Sequence, residues 1–347
     1  GHEVHAVLRR TAGSLPREER EGVTLHRVRW VPPHRLFRFR ALPSVLRILD
    51  DVGPAALIER YYNFGGEGIR AARRRGVPSL LEVNSPILDH PGSWKSRLDA
   101  LALVHPFRTY RESLCRQATA LVSPTLEIVP SFAREKTERV SWGANVDSFH
   151  PRFRNEALRE RLGVPKPAVV VLFSGSFRPW HGVHVLEKAA ELLRERHDLF
   201  FLFVGGERAG EGHGFNGRFL GSVPYESMPE IVASCDIGVA PYDTARLGQL
   251  RLGFYWSPLK IFEYMASGLP TLTIAAAPLN EIVREGLEGF HVREASPRDL
   301  ARGIERLAAD PGLRAEMGRS GRERVVAHYS WAHHCAQLEG VLRRICR

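Results

Sequence analysis

Ala168-Val169-Val170-Val171-Leu172-Phe173-Ser174 is an unbroken apolar run, rich in β-branched residues and too short for an ordinary buried helix. A strand that is hydrophobic on both faces must be covered on both, as in a parallel sheet sandwiched between helices. The residues that follow agree with this. Gly175-Ser176-Phe177-Arg178-Pro179-Trp180-His181-Gly182 is a glycine-flanked turn, and a helical pattern continues over 183–196. The unit repeats: an apolar run at 199–204 ends in Gly205-Gly206-Glu207, and further runs occupy 237–242 and 270–274. The chain therefore reads as α/β, and its 347 residues suffice for two such domains.

The first half alternates in the same way. Strands are expected at 1–8, 22–28, 55–62, 78–84 and 118–124. Helices are expected at 44–49, at 65–75 before Gly76, over 94–116 with a break near Pro106, and after Ser123-Pro124. Residues 140–151 are rich in Gly, Asn, Asp and Pro and read as a linker, with the boundary at 150/151. The tail, 298–345, reads as three amphipathic helices.

The stretch 257–270 has both ends of a short helix marked. Ser257 suits the cap, Pro258 the first helical position, Gly268 a left-handed stop, and Pro270 prevents a restart. Ile261, Phe262, Met265 and Ala266 form its apolar stripe, while Lys260 and Glu263 project from neighbouring positions. A helix start bearing a lysine suits a phosphate, and a carboxylate one turn on can accept two sugar hydroxyls. A surface Lys–Glu pair on a plain amphipathic helix would use the same residues. The helix opens beyond the carboxyl end of the 237–242 strand, where open α/β sheets bind ligands.

Phe262-Glu263-Tyr264-Met265-Ala266-Ser267-Gly268-Leu269-Pro270 resembles the end of the Glu-x7-Glu segment of the family-4 glycosyltransferases. These are retaining enzymes of the GT-B fold, in which two Rossmann-like domains face each other across a cleft, and the resemblance extends over nearly the whole chain. The first Glu position holds Tyr255 here; the second, Glu263, is implied to grip the nucleotide ribose. The 175–182 turn is implied to face the pyrophosphate. Ser176 and His181 stand where much of the family has Arg and Lys, Arg178 lies between them, and one branch shares the Pro179-Trp180-His181-Gly182 form. The resemblance thus implies a donor site of Gly175, Ser176, Phe177, His181, Gly205, Val223, Tyr255, Ser257, Pro258, Leu259 and Glu263. Main-chain groups around Val223 would hold the base. Arg178 and Lys260 are the expected catalytic cations, meeting the charge that grows on a leaving diphosphate.

In the first domain, Arg60, Glu82, Asn84, Asp89 and His90 are expected to line an acceptor site. The resemblance implies an acceptor-binding domain over 1–150, a nucleotide-sugar domain over 151–329, and a last helix, 330–347, crossing back after Tyr329-Ser330-Trp331. The opening run matches the family's second strand, so a strand and helix of about 30 residues are expected to precede it. No cofactor or metal is expected; the nucleotide-diphosphate sugar is a co-substrate, and the chain carries no Asp-x-Asp signature.

The net charge is +10, concentrated in residues 1–150, which hold 23 basic against 16 acidic side chains. This suits an anionic membrane, an anionic acceptor or nucleic acid, but no nucleic-acid motif is present. Residues 30–42 interleave arginine and aromatic residues and are expected to meet an anionic membrane through Arg35, Arg38 and Arg40; a helix packing Phe and Leu inward would use them equally. Four scattered cysteines read as reduced, buried thiols of a cytoplasmic protein, and the basic first half suits a peripheral place at the inner membrane face. The expected function is transfer of a sugar to a glycan, lipid-linked or small-molecule acceptor. A non-catalytic sugar-nucleotide-binding subunit, or a sugar-nucleotide epimerase of the same fold, remains open at this point.

Overall fold

The computed structural model describes residues 1–30, 38–90, 92–102 and 104–347. It divides into two compact units, Gly1–Val140 with Gln337–Arg347, and Ser141–Ala336. The sequence placed the boundary at 150/151. Residues 141–149 instead stay fastened to the second unit: the Trp142 N–H donates to Ser257 Oγ (3.0 Å), the Ala144 N–H to the Tyr329 carbonyl (2.8 Å), and Arg322 to the carbonyls of Val146 and Phe149.

The first unit holds two sheets. β1 (Val4–Arg9) runs parallel to β3 (Val23–Val28), and β2 (Arg17–Arg20) pairs antiparallel with β3. Charged and largely exposed, β2 gave no hydrophobic signal in the sequence. α1 (Leu42–Val52) and α2 (Glu67–Arg75) pack through Val45, Leu49 and Ala71. The second sheet is parallel, in the order β4 (Leu57–Arg60), β5 (Ser79–Glu82), β6 (Ala120–Ser123), β7 (Thr137–Arg139). α3 (Trp94–Leu101) and α4 (Pro106–Gln117) are separated where Pro106 predicted. Ser123-Pro124 opens no α-helix; the chain turns there and enters a 3-10 segment at Ser131–Lys136.

In the second unit, α5 (Glu156–Arg161) precedes β8 (Val169–Ser174), α6 (Val183–Leu192), β9 (Leu199–Val204), β10 (Ala209–Glu211) and β11 (Gly217–Leu220). Then follow α7 (Met228–Ala233), β12 (Ile237–Ala240), α8 (Leu259–Ala266), β13 (Thr271–Ile274), α9 (Leu279–Ile282) and β14 (Gly289–Val292). α10 (Pro297–Ala309), α11 (Pro311–His328) and α12 (Trp331–Ile345) complete the chain. The sheet order is β10-β11-β9-β8-β12-β13-β14, parallel except for β10. Every residue of β9, and all but the first of β8, is buried, as a sheet covered on both faces requires. Because β9 lies on one side of β8 and β12 on the other, the strand order reverses at β8, which opens a crevice at its carboxyl end. The final turns of α12 belong to the first unit, where Val341 packs on Leu80, Val122 and Val140. Cys115 and Cys235 are buried, but Cys335 and Cys346 are exposed, contrary to the reading of four buried thiols.

Candidate active site

The crevice is built on glycine contacts. Gly175 ends β8 at φ 145°, and a Cβ there would lie 2.8 Å from Lys260 Nζ and 3.4 Å from His181 Nδ1. A Cβ on Gly205, at the end of β9, would strike the Gly175 carbonyl at 2.0 Å, so the two strand ends touch through bare backbone. Phe177 is held in the left-handed region (φ 49°) with its ring 5.6 Å from that of Phe173 and 6.2 Å from that of Phe219, against Gly206. Among the described residues the N–H groups of Ser176 and Phe177 meet no acceptor, which leaves donors available at this turn. Ser176 and Arg178 are exposed.

Lys260 reaches this turn from α8. The residue as a whole is half-buried, yet its Nζ is sealed from solvent and has no hydrogen-bond partner. It lies 4.1 Å from the centroid of the Phe173 ring and 5.5 Å from that of Tyr242. Burial pushes its ammonium down to about 7, against the opposing pull of Glu263. His181 Nδ1 is likewise buried and unpartnered, and burial, then Lys260 and Arg178, lower its pKa to about 3. His181 is therefore neutral. One turn beyond Lys260, burial raises the Glu263 carboxyl to about 7, although it accepts from Tyr225 Oη at 3.1 Å. Val223 belongs to the same rim: the Gly205 N–H donates to the Gly221 carbonyl (2.7 Å) and Ser222 Oγ to that of Gly206 (2.8 Å).

Ser257 does not cap α8. Its hydroxyl accepts from Trp142 N–H and lies 3.3 Å from Ser141 Oγ, while its carbonyl takes the Leu259 N–H. The helix accordingly begins at Leu259, with Pro258 at the cap position and its carbonyl accepting from Ile261 and Phe262. Gly268 ends it at φ 76°, as expected, and the Leu269 N–H closes the turn on the Tyr264 carbonyl. Tyr255 is 1 % exposed, donates to Gln249 Oε1 (3.1 Å) and packs on Trp256, so it fills the core rather than standing in for a carboxylate.

In the first unit, Arg60 and Glu82 are register partners at the carboxyl ends of β4 and β5. The Asn84 amide, with its oxygen turned toward Arg60, accepts from the guanidinium (Nη2 at 3.0 Å). Arg60 and Asn84 thus meet, with Glu82 beside Arg60 on the neighbouring strand. Asp89 does not join them: it binds Lys95 (2.8 Å) and the buried Arg111 (2.5 Å). Burial raises its pKa, but Arg111 and Lys95 outweigh that and hold the carboxyl below its ordinary range. His90 follows in the same half-buried loop.

Of the three arginines expected to meet a membrane from the 30–42 stretch, Arg40 is exposed and Arg38 is engaged within the first unit. Arg38 lies between the Trp30 and Tyr62 rings (4.6 and 4.3 Å) and bonds Glu67 through Nε (3.0 Å) and Nη2 (2.6 Å), an internal role. Residues 31–37, including Arg35, lie outside the described residues.

Residues 154–324 match the family described as glycosyl transferases group 1, and residues 1–140 match a glycosyl transferase 4-like domain. Both units are glycosyltransferase domains. The D-inositol 3-phosphate glycosyltransferase 1 of Catenulispora acidiphila is 27% identical over 377 residues, spanning 99% of this chain and 86% of that protein. A D-inositol 3-phosphate glycosyltransferase of Nocardioides sp. is 29% identical over 60% of this chain, and spore coat protein SA of Bacillus subtilis is 27% identical over 61%. These last two matches span about half the length of the relatives, 48% and 60% respectively. Among solved structures, sucrose-phosphate synthase from Thermosynechococcus elongatus superposes with a TM-score of 0.72 at 18% identity, over 99% of this chain and 89% of that one. Anabaena HepE in complex with UDP superposes at 0.70 and 16% identity, over 92% and 86%. The fold is GT-B.

Sequence reasoning missed two partners in these glycosyltransferase domains. Tyr225 reaches Glu263, and the Tyr264 hydroxyl accepts from the Ser174 N–H at 2.7 Å, anchoring α8 to the end of β8. The bare Gly238 makes room for the Tyr264 ring, whose Cδ2 lies 2.4 Å from where a Cβ would be. A glycine inside an apolar strand run was the available signal.

Proposed function

We propose that this chain is a retaining glycosyltransferase that moves a sugar from a nucleotide-diphosphate donor, bound by the second unit, to a glycan, lipid-linked or small-molecule acceptor bound by the first. The observation that carries the reading is the sealed, unpartnered Lys260 Nζ beside Gly175 and the neutral His181, with Glu263 one turn away. A buried amine without a partner is costly, and an anion entering the crevice would supply that partner. Ser176 and Phe177 N–H groups and the exposed Arg178 would converge on the same diphosphate, while Glu263 would accept the ribose hydroxyls and main-chain groups near Val223 the base. The complex of HepE with UDP, a protein of the same fold, supports a nucleotide donor.

As the sugar–phosphate bond breaks, negative charge grows on the leaving diphosphate. Lys260 and Arg178 would stabilise it, so no metal is required in this reading. His181, neutral at working pH, can donate one hydrogen bond but adds no charge. Arg60, Glu82 and Asn84 would orient the acceptor hydroxyl, in the cytoplasm or at the inner membrane face.

The test is calorimetry with nucleoside diphosphates, with and without EDTA. Glu263→Ala should weaken binding by about 1.5–3 kcal/mol, the worth of a hydrogen bond to a charged group. Unchanged affinity in the variant would remove the ribose assignment, and loss of turnover in EDTA restored by Mg²⁺ would remove the metal-free one.

A further inference from the structure

Glu263 has one direct hydrogen-bond donor among the described residues, and it comes from outside the helix. Lys260, one turn earlier on α8, directs its Nζ to the Phe173 and Tyr242 rings and has no hydrogen-bond partner. The donor is Tyr225, 38 residues back in the chain, whose hydroxyl bonds Glu263 Oε1 at 3.1 Å. Oε2 meets no donor among the described residues. A carboxylate offers about four lone-pair sites, so this bond leaves room for both hydroxyls of a ribose.

The placement of Tyr225 serves Glu263 more than it serves the core. It opens the 3-10 turn Tyr225–Ser227, two residues after Val223, and is 59 % exposed. Its ring rests 5.9 Å from that of the fully buried Phe149, which sets the reach of the hydroxyl. Burial, and then Glu263 itself, push that hydroxyl up to about 12, so it stays a donor across the working range. A neutral donor also orients the carboxylate without spending its charge on an ion pair, as lysine or arginine would.

Burial raises the Glu263 pKa, while the Tyr225 bond and then Lys260 lower it. The elements packed on α8 bring no rival donor among the described residues. β12 and β13 carry no ionisable side chain, and Glu230 of α7 bonds Asn155. Arg322 of α11 bonds the Ala266 carbonyl at the far end of the helix, and Tyr264 turns to Ser174. Glu226, next to Tyr225, is exposed.

We propose that Tyr225 is a positioning residue for nucleotide recognition: its hydroxyl fixes the Glu263 carboxylate for the ribose and ties it to the segment around Val223 that would hold the base. This role rests on the ribose contact of Glu263 proposed above and deepens it. Base segment and ribose helix are separate elements, and one hydrogen bond makes them a single surface.

Calorimetry with whichever of UDP, GDP and ADP binds the full chain most tightly, and with its 2′,3′-dideoxy counterpart, tests it. Tyr225→Phe keeps the ring on Phe149 and should keep the thermal midpoint. It should weaken the ribonucleotide about three- to tenfold, the worth of one hydrogen bond, and the dideoxy form less than about twofold. Because the lost bond had lowered the Glu263 pKa, the carboxyl should protonate at higher pH, and affinity should fall away sooner on acidification. A merely structural role would lower the whole curve without moving its acid side. In a Glu263→Ala background the same change should add nothing. Parental affinity and pH dependence in Tyr225→Phe, equal losses for both ligands, or a full effect without Glu263 overturns the proposal. Unchanged affinity in Glu263→Ala alone would remove the ribose assignment, and this proposal with it.

Discussion

Lys260 Nζ sits 4.1 Å from the centroid of the Phe173 ring, so an amine on the sheet's ligand-binding end points into an aromatic wall instead of into water. Attraction between a cation and a ring face returns about 2 kcal/mol or more when desolvated, less than the loss of hydration costs. The ammonium is accordingly pushed down to about 7, and a diphosphate entering the crevice would restore its charge.

Nucleoside diphosphate affinity should therefore follow a bell-shaped pH curve. Above about pH 7 the free Lys260 loses its proton, which the bound diphosphate would retain, and each further pH unit should lower affinity up to about tenfold. Below about pH 7 Glu263 becomes neutral and a weaker acceptor for ribose. Calorimetry from about pH 5.5 to about pH 9 measures both limbs. Lys260→Met should remove the alkaline limb and Glu263→Gln the acid one; a parent curve that is flat across neutrality contradicts both assignments.

Lys260→Ala and Arg178→Ala should depress turnover more than donor binding, because the charge they meet grows in the transition state. For Lys260, the more buried of the two, a fall in kcat of about 10²–10³ is expected from the loss of one preorganised donor. Steady-state kinetics beside donor calorimetry separate the effects. Lost affinity with intact turnover would make both residues plain binding contacts.

Asp89→Ala should destabilise the first unit without altering nucleotide binding by the second. Asp89 and Arg111 are nearly buried (11% and 1% side-chain exposure), and removing one partner of such a pair costs about 3–5 kcal/mol. Since the Asp89 pKa is lowered on folding, its stabilisation is present above the unfolded value and disappears as pH falls through the folded one. The difference in thermal midpoint between parent and variant should thus be large at neutrality and shrink in strong acid. A variant with parental stability and impaired acceptor use would return Asp89 to the acceptor site.

Gly205→Ala should disrupt the diphosphate turn, since its Cβ would meet the Gly175 carbonyl at 2.0 Å with φ at 111°. Backbone strain of this kind costs about 1–3 kcal/mol, and displacement of the Gly175 backbone should also weaken diphosphate binding. Gly210→Ala is the control: φ is 125°, but nothing lies within 4 Å of its Cβ, so it should leave binding unchanged. Thermal unfolding and calorimetry distinguish the two; equal binding by both variants would show that contact with Gly175 is immaterial.

The local pattern of the sequence determined much of the second unit. A run such as Ala168–Ser174 has no polar face to offer water and had to become a covered strand, and Gly268 permits the left-handed backbone that ends α8. The spacing of Lys260 and Glu263 likewise put both on neighbouring positions of one helix. What the tertiary structure alone decided depends on partners distant in the chain. Ser257 has the composition of a cap, but Trp142, 115 residues away, takes its hydroxyl. Arg38 looked like a headgroup contact until Glu67 and two rings enclosed it, and Tyr225 finds Glu263 across 38 residues. In α3 the periodicity of Trp94, Leu98 and Leu101 specifies a stripe but not the side it faces. Asp99 decides that by bonding the start of α4, because periodicity records only how side chains are arranged around an axis, whereas rotation about that axis is set by contacts made outside the helix.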